Sequence, residues 1–313
     1  MNAVRVLNLV TNANARFFKQ QVQRLADRGV EHTVLPVPGV HESDGDRTRS
    51  VADYTRFVLP VLREARGDYD IVHANYGLTA PHALLQPWHP VVVSLWGSDL
   101  MGEYGWLSKR CARWADATVV MSEQMADELE RPCYVLPHGV NLELFAPADQ
   151  DAARAELGWG RGHQVLFPYP PGRDVKDYPR AERVVAAAEE ALGEPITINT
   201  VSGVPHDQMP TYMNAADCLL LTSKREGSPN SVKEAMACNT PVVATPVGDV
   251  RERLRNVTPS AVCETDEALT AALVEVLSRG TRSNGRAAVR DVSVEQTIEN
   301  LYGVYETVLE ESR

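Results

Sequence analysis

Two carboxylates, Glu226 and Glu234, stand eight positions apart around the run Gly227-Ser228-Pro229-Asn230-Ser231-Val232-Lys233. Gly227 and Pro229 break regular structure, and Asn230 and Ser231 both suit a helix N-cap, so a helix is expected to start there with Glu234 about one turn in. The open amide groups and positive dipole end of that helix suit a diphosphate. A carboxylate only accepts hydrogen bonds, so two of them at the mouth of an anion site suit hydroxyl groups, at about 1.5–3 kcal/mol per charge-assisted bond. A second anion element, Pro171-Gly172-Arg173-Asp174-Val175-Lys176, offers two cations, Arg173 and Lys176, for charge building on a departing diphosphate. Lys224 and Arg225 are lesser candidates for that role. A diphosphate with hydroxyls on both sides describes a nucleotide-sugar, with its ribose at one end and its transferable sugar at the other.

The elements that must position these residues follow from hydrophobic patterning. At 313 residues the chain exceeds what one core usually holds and fits two domains of about 150 residues with a cleft between them. Short apolar runs alternate with amphipathic stretches, the pattern of βα units feeding a parallel sheet with helices on both faces. In the first half, strands are expected at 4–10, 33–37, 71–74, 91–95, 117–121 and 134–136. Helices are expected at 15–28, with Phe18, Val22 and Leu25 on one face, and at 53–66 with a kink at Pro60. Asp44 to Ser50 reads as a polar loop. The stretch 137–149, with two prolines and a glycine, reads as a linker, giving domains 1–148 and 149–313. The second half restarts the alternation with strands at 165–169, 196–201, 218–222 and 242–245 and helices at 180–192 and 231–237. The periodic segment 294–309 (Ile298, Leu301, Tyr305, Val308) is expected to pack back on the first domain. In such sheets ligands bind beyond the carboxyl ends of the strands, where strand order reverses. Both anion elements follow strands.

Composition narrows the function classes. A net charge of -11 argues against nucleic-acid binding, which depends on neutralising phosphates with Lys and Arg. The apolar content of 44% is ordinary for a globular protein, and no run approaches the roughly 18 apolar residues of a membrane span. The N-terminal run reads as a buried strand rather than a signal peptide. Five widely spaced cysteines without a C-x-x-C pair favour neither a disulfide framework nor zinc, and the expected compartment is a reducing cytoplasm.

Glu226 to Ala235 match every fixed position of the Glu-x7-Glu signature E-G-x-P-x-x-x-x-E-A, and in this the sequence resembles glycosyltransferase family 4. Further family-like pieces are Met209 to Asp217 before the motif and Thr240 to Thr245 with Val247 and Gly248 after it. The first half adds Asp70 to Gly77, Val93 to Leu100, and Pro137 to Asn141 with Phe145. The resemblance implies the GT-B fold, two Rossmann-like doubly wound parallel-sheet domains facing each other across a cleft. It also implies transfer of a sugar from a nucleotide-diphosphate-sugar, most commonly a UDP-sugar, with retention and without a metal or other cofactor. By resemblance Glu234 would hold the ribose hydroxyls and Glu226 the donor sugar. The backbone of Gly227, Ser228, Pro229, Asn230 and Ser231 would approach sugar and phosphates, and Arg173 and Lys176 would meet the diphosphate.

This chain departs from the family pattern at two places. Trp96 stands where many members have a histidine that reaches the donor sugar, so that role passes to Asp99, His73 or Asn75. Thr11-Asn12-Ala13-Asn14-Ala15-Arg16 replaces a Gly-Gly turn that borders the acceptor, making Asn14, with His73, Asn75 and Trp96, the acceptor-side candidates. The acceptor itself, a glycan, a lipid-linked sugar or a small molecule, stays open. The segment Trp106-Leu107-Ser108-Lys109-Arg110-Cys111-Ala112-Arg113-Trp114 mixes cations and aromatics at helical spacing. It either touches an anionic membrane surface or buries Leu107, Cys111 and Trp114 under a solvated basic face. Two other readings share the architecture: a nucleotide-sugar epimerase, which needs no acceptor, and a non-catalytic nucleotide-sugar-binding relative.

Overall fold

The computed structural model describes residues 3–39 and 49–312, so the expected polar loop from Asp44 lies, through residue 48, outside the described residues. The chain divides into two units, Met1–His138 with Glu295–Arg313, and Gly139–Val294.

The first unit holds six parallel strands: β1 (Arg5–Val10), β2 (Glu31–Pro36), β3 (Ile71–Asn75), β4 (Val91–Ser94), β5 (Ala117–Val120) and β6 (Tyr134–Val135). Their order is β2-β1-β3-β4-β5-β6, with Leu7 of β1 beside Thr33 on one side and Val72 on the other. Central strands of a parallel sheet are covered on both faces, which is why β1, β3 and β4 are near-continuous buried runs rather than alternating ones. The helix Val51–Glu64 runs through Pro60 and starts with a capping box in which Ser50 and Asp53 satisfy each other's backbone N–H groups. The final helix, Val294–Glu311, contributes to this unit from Glu295 onward, burying Ile298, Leu301, Tyr305 and Val308 at three- and four-residue spacing. Arg24 and Arg28 pair with Glu295 and Glu299 along its exposed side.

In the second unit the strands are β7 (His163–Phe167), β8 (Ile196–Thr200), β9 (Cys218–Leu221), β10 (Val242–Ala244) and β11 (Ala261–Val262), ordered β11-β10-β9-β7-β8 and all parallel. Order reverses between β7 and β9. One sheet face packs against the helix Asn230–Ala237, with Val232, Ala235 and Met236 in its core. The other packs against the helices Tyr178–Leu192 and Asp266–Arg279.

This unit begins earlier than the expected boundary near residue 148. The segment 139–148 has the composition of a linker, yet Val140 and Phe145 are buried in the second core. Val140 exchanges backbone bonds with Val292 and Val294, and Arg286 donates to the carbonyls of Leu142, Phe145 and Ala237. Gly139 is required at the crossing, because a Cβ there would lie 2.5 Å from the Val294 Cα. Among the described residues no helix is long and apolar enough to cross a membrane.

Candidate active site

The carboxyl ends of β7 and β9 flank the switch point of the second sheet, and the sequence places its two anion elements there. After β9, Thr222 turns its hydroxyl onto the carbonyls of Lys176 and Asp177, both at 3.0 Å, and the Lys224 amide bonds the Val175 carbonyl at 2.9 Å. These bonds tie the loop after β7 to the loop after β9. The result is an ion pair: the Lys176 ammonium donates to Glu226 Oε1 at 2.5 Å, and the Ser223 hydroxyl donates to the same oxygen at 2.7 Å. The ammonium also lies 3.6 Å from the centre of the Tyr169 ring, a cation–π contact. Burial pulls the Lys176 pKa below that of a free lysine, against the opposing pull of Glu226. Arg173 lies on the exposed rim of the same loop, with no acidic side chain within ion-pair distance among the described residues.

The helix carrying Glu234 starts at Asn230, with Pro229 rather than Asn230 or Ser231 in the cap position and no side chain capping it. Proline fits because a first-turn residue has no intrahelical partner for its N–H. Ser231 instead exchanges a hydrogen bond with the Tyr169 hydroxyl at 2.5 Å, so Tyr169 touches both Lys176 and the helix start. Burial raises the Tyr169 phenol pKa and keeps it protonated. The Ser228 side chain points away from the helix mouth, into a bridge between Lys233 and Asp249. Glu234, one turn in, accepts from His206 Nε2 at 2.8 Å, and the His206 ring packs edge-on against Phe145 at 5.0 Å. The structure thus brings Glu226, Lys176, Ser231 and Glu234 to one edge of one sheet. Tyr169 and His206 are functional candidates that sequence reasoning missed. Both lie just beyond strand ends, where the fold itself says to look.

The first-unit candidates fare differently. His73 is fully buried, bridging the Ser94 hydroxyl and the Tyr305 hydroxyl at 2.7 Å each, and burial lowers its pKa to about 3. Asn75 is held between Asn8 and Gln21. Asp99, given a catalytic role from sequence, accepts the backbone N–H groups of Gly77, Trp96 and Gly97 at 2.8–2.9 Å. Burial raises its carboxyl pKa against those three donors. What this geometry gives all three residues is the positioning of the β3 and β4 loops. Asn14 is exposed, and its backbone N–H donates to Asn12 Oδ1 at 2.9 Å. Trp96 is half-buried in an aromatic group with Phe17 (4.4 Å between centroids), His138 (5.6 Å) and Tyr76 (5.9 Å). Of the basic aromatic segment, the helix Gly105–Cys111 buries Ser108 and Cys111, while Trp106 and Trp114 are 65% and 76% exposed. Trp114 is therefore not a core residue: the helix ends at Cys111, and the chain turns before the spacing can carry Trp114 inward.

Comparison with known proteins gives the family and the fold. A family model for "Glycosyltransferase Family 4" matches residues 15–144, and one for "Glycosyl transferases group 1" matches residues 177–279. Over 293 residues the chain is 27% identical to D-inositol 3-phosphate glycosyltransferase 1 of Catenulispora acidiphila, across 75% of this chain and 68% of the relative. The structure of sucrose-phosphate synthase from Thermosynechococcus elongatus superposes with a TM-score of 0.77 at 18% identity, over 98% of this chain and 100% of that one. Anabaena HepE in complex with UDP and glucose superposes with a TM-score of 0.70 at 14% identity, over 97% and 99%. At these identities the likeness to the solved structures is one of fold. One matched model lies over residues 15–144 and the other takes in the Glu-x7-Glu loop, and the chain belongs to the family 4, group 1 glycosyltransferases of the GT-B fold.

Proposed function

We propose that this enzyme is a retaining, metal-independent hexosyltransferase that takes a sugar from a nucleotide-diphosphate-sugar, with UDP the first candidate nucleotide. The observation that carries this reading is the meeting of Lys176, Glu226 and the uncapped helix start at the β7/β9 switch point, with Glu234 one turn further on. Phosphate oxygens face Lys176, Arg173 and the amides of Asn230 and Ser231; sugar hydroxyls face Glu226; ribose hydroxyls face Glu234. The UDP and glucose bound by HepE support a uridine nucleotide. In the proposed step the acceptor oxygen bonds to the anomeric carbon on the face from which the diphosphate departs. The sugar–phosphate bond breaks with its electron pair going to the diphosphate, and the acceptor proton passes to a leaving phosphate oxygen. Lys176 and Arg173 stabilise the charge that builds there.

On the acceptor side, the group Phe17, Tyr76, Trp96 and His138 offers ring faces to a carbohydrate, free or lipid-linked, which hydrogen-bonding side chains alone would not. The relative's printed name, with a phosphorylated cyclitol, fits a polyhydroxylated ring. A cytoplasmic setting fits the five unpaired cysteines.

The test is a thermal-shift screen against UDP, GDP, dTDP and ADP and their sugars. A ligand at a hundred times its Kd adds about 2.7 kcal/mol of stability. A selective shift, followed by nucleotide release only when a sugar acceptor is supplied, is the expected outcome. Turnover of the donor without an acceptor would mean an epimerase, and binding without turnover a non-catalytic relative.

A contact with anionic membrane is proposed for the stripe Trp106, Arg110, Arg113 and Trp114, all exposed, in which neither arginine has an acidic partner within ion-pair distance among the described residues. Aromatic bodies at the headgroup level and cations toward anionic lipid are what such a contact needs. Sedimentation with phosphatidylglycerol vesicles should fall when Arg110 and Arg113 are changed to Glu, and rise in low salt. Equal sedimentation of the wild-type protein and the variant would remove the idea.

A further inference from the structure

We propose that Lys233 is a positioning residue for the donor: through the Ser228 hydroxyl and the Asp249 carboxylate, its ammonium holds the turn at 227–229 in the form that receives the sugar diphosphate. The inference rests on the donor-site reading above and assigns a role to three residues that it leaves unexplained.

Lys233 is 1% exposed and Asp249 is 5% exposed. An ammonium and a carboxylate in the interior lose most of their hydration, so both are costly unless fully engaged. Lys233 Nζ donates to Ser228 Oγ at 2.9 Å, and Ser228 Oγ donates to Asp249 Oδ2 at 2.8 Å. The proton order is forced, because an ammonium has no acceptor and a carboxylate no donor. Ser228 thus carries a charge-assisted bond on each side, and its hydroxyl is committed before any ligand arrives. The other Asp249 oxygen is buried without a hydrogen-bond partner, which leaves the Ser228 bond and the nearby cations to stabilise the carboxylate.

A second contact locks the same two turns. Gly248, immediately before Asp249, has φ +55°, and a Cβ there would lie 2.4 Å from the Gly227 carbonyl oxygen. The turn at 227–229 is therefore gripped through its backbone by Gly248 and through its side chain by Lys233 and Asp249. That turn joins Glu226 to the helix start at Asn230. Any shift in it moves the sugar-binding carboxylate and the phosphate-facing amides together, and small displacements of positioning groups carry large costs.

The experiment compares donor binding and turnover in wild type, Ser228→Ala, Ser228→Thr, Lys233→Met and the Ser228→Ala/Lys233→Met double variant. The ligand is whichever of UDP, GDP, dTDP or ADP binds wild type, together with its sugar. Ser228→Ala and Lys233→Met should each raise the donor Kd and KM about tenfold, by analogy with loss of one charge-assisted bond, with a smaller change in kcat. The double variant should be no worse than the poorer single one, since both cut one bridge, and Ser228→Thr, which keeps the hydroxyl, should restore binding. If Lys233→Met does not fold, the serine pair still decides the matter. Wild-type donor affinity in Ser228→Ala, with only the melting temperature lowered, would overturn the positioning role while leaving the donor site in place. Failure of wild type to bind any of the four nucleotides would instead overturn the donor-site reading itself.

Discussion

Lys176→Met should lower kcat about a hundredfold, the scale seen when one preorganised group facing a developing anion is removed. The loop after β7 is fastened to Thr222 and Lys224, so Lys176 does not swing freely: it sits over the Tyr169 ring and against Glu226. A charge fixed before the reaction costs little reorganisation as the sugar–phosphate bond breaks. The substitution also strips Glu226 of its cation, leaving Ser223 as the donor to Oε1, so the donor KM should rise as well. Lys176→Arg separates the two effects by keeping the charge and changing the fit. The pH dependence has a defined sign. Burial places the Lys176 pKa below that of a free lysine, so activity that needs the ammonium should fall as pH rises through that lowered value, and the alkaline limb should move upward in Lys176→Arg. Steady-state kinetics with saturating acceptor measure both, and an unchanged kcat in Lys176→Met would refute the assignment.

The convergence of Lys176, Glu226 and the helix start in the second unit was legible in sequence because these residues sit in a contiguous motif and in loops directly after strongly apolar strands. β9 and β10 are buried on both faces, and the expected ranges 218–222 and 242–245 each exceed the observed strands by one residue. Tyr169 escaped because it closes the apolar run at 165–169 and reads as the last strand residue, whereas β7 ends at Phe167 and Tyr169 begins the site loop. His206 escaped because its partner, Glu234, is 28 positions away and meets it only in the folded unit. β11, two residues long, has too little pattern to be read. In the first half, the family resemblance and the departure at Trp96 led to His73 and Asn75. Both belong to β3 itself, in a sheet covered on both faces, so a polar side chain there is enclosed rather than presented. The aromatic group around Trp96 combines side chains from after β1, β3 and β4 with His138, a long-range convergence that spacing cannot announce.

Glu234→Ala should weaken nucleotide binding by about ten- to a hundredfold while changing kcat at saturating donor much less, because a carboxylate on ribose hydroxyls binds ground state and transition state alike. Glu234 is 8% exposed, and His206 holds its Oε1. That contact makes the orientation of the carboxylate toward a ribose hydroxyl depend on the imidazole. His206→Gln, which keeps a donor at that position, should therefore cost less than His206→Ala, and both less than Glu234→Ala. The sharper measurement uses a pair of ligands, a ribonucleoside diphosphate and its 2′-deoxy form, titrated by calorimetry. Wild type should prefer the ribonucleotide, and Glu234→Ala should lose the preference along with the affinity, since the energy of that hydroxyl and of this carboxylate is one interaction counted from two sides. If the variant still discriminates between the two ligands, the hydroxyl is read elsewhere, and Glu234 serves to anchor His206 and the loop that carries it.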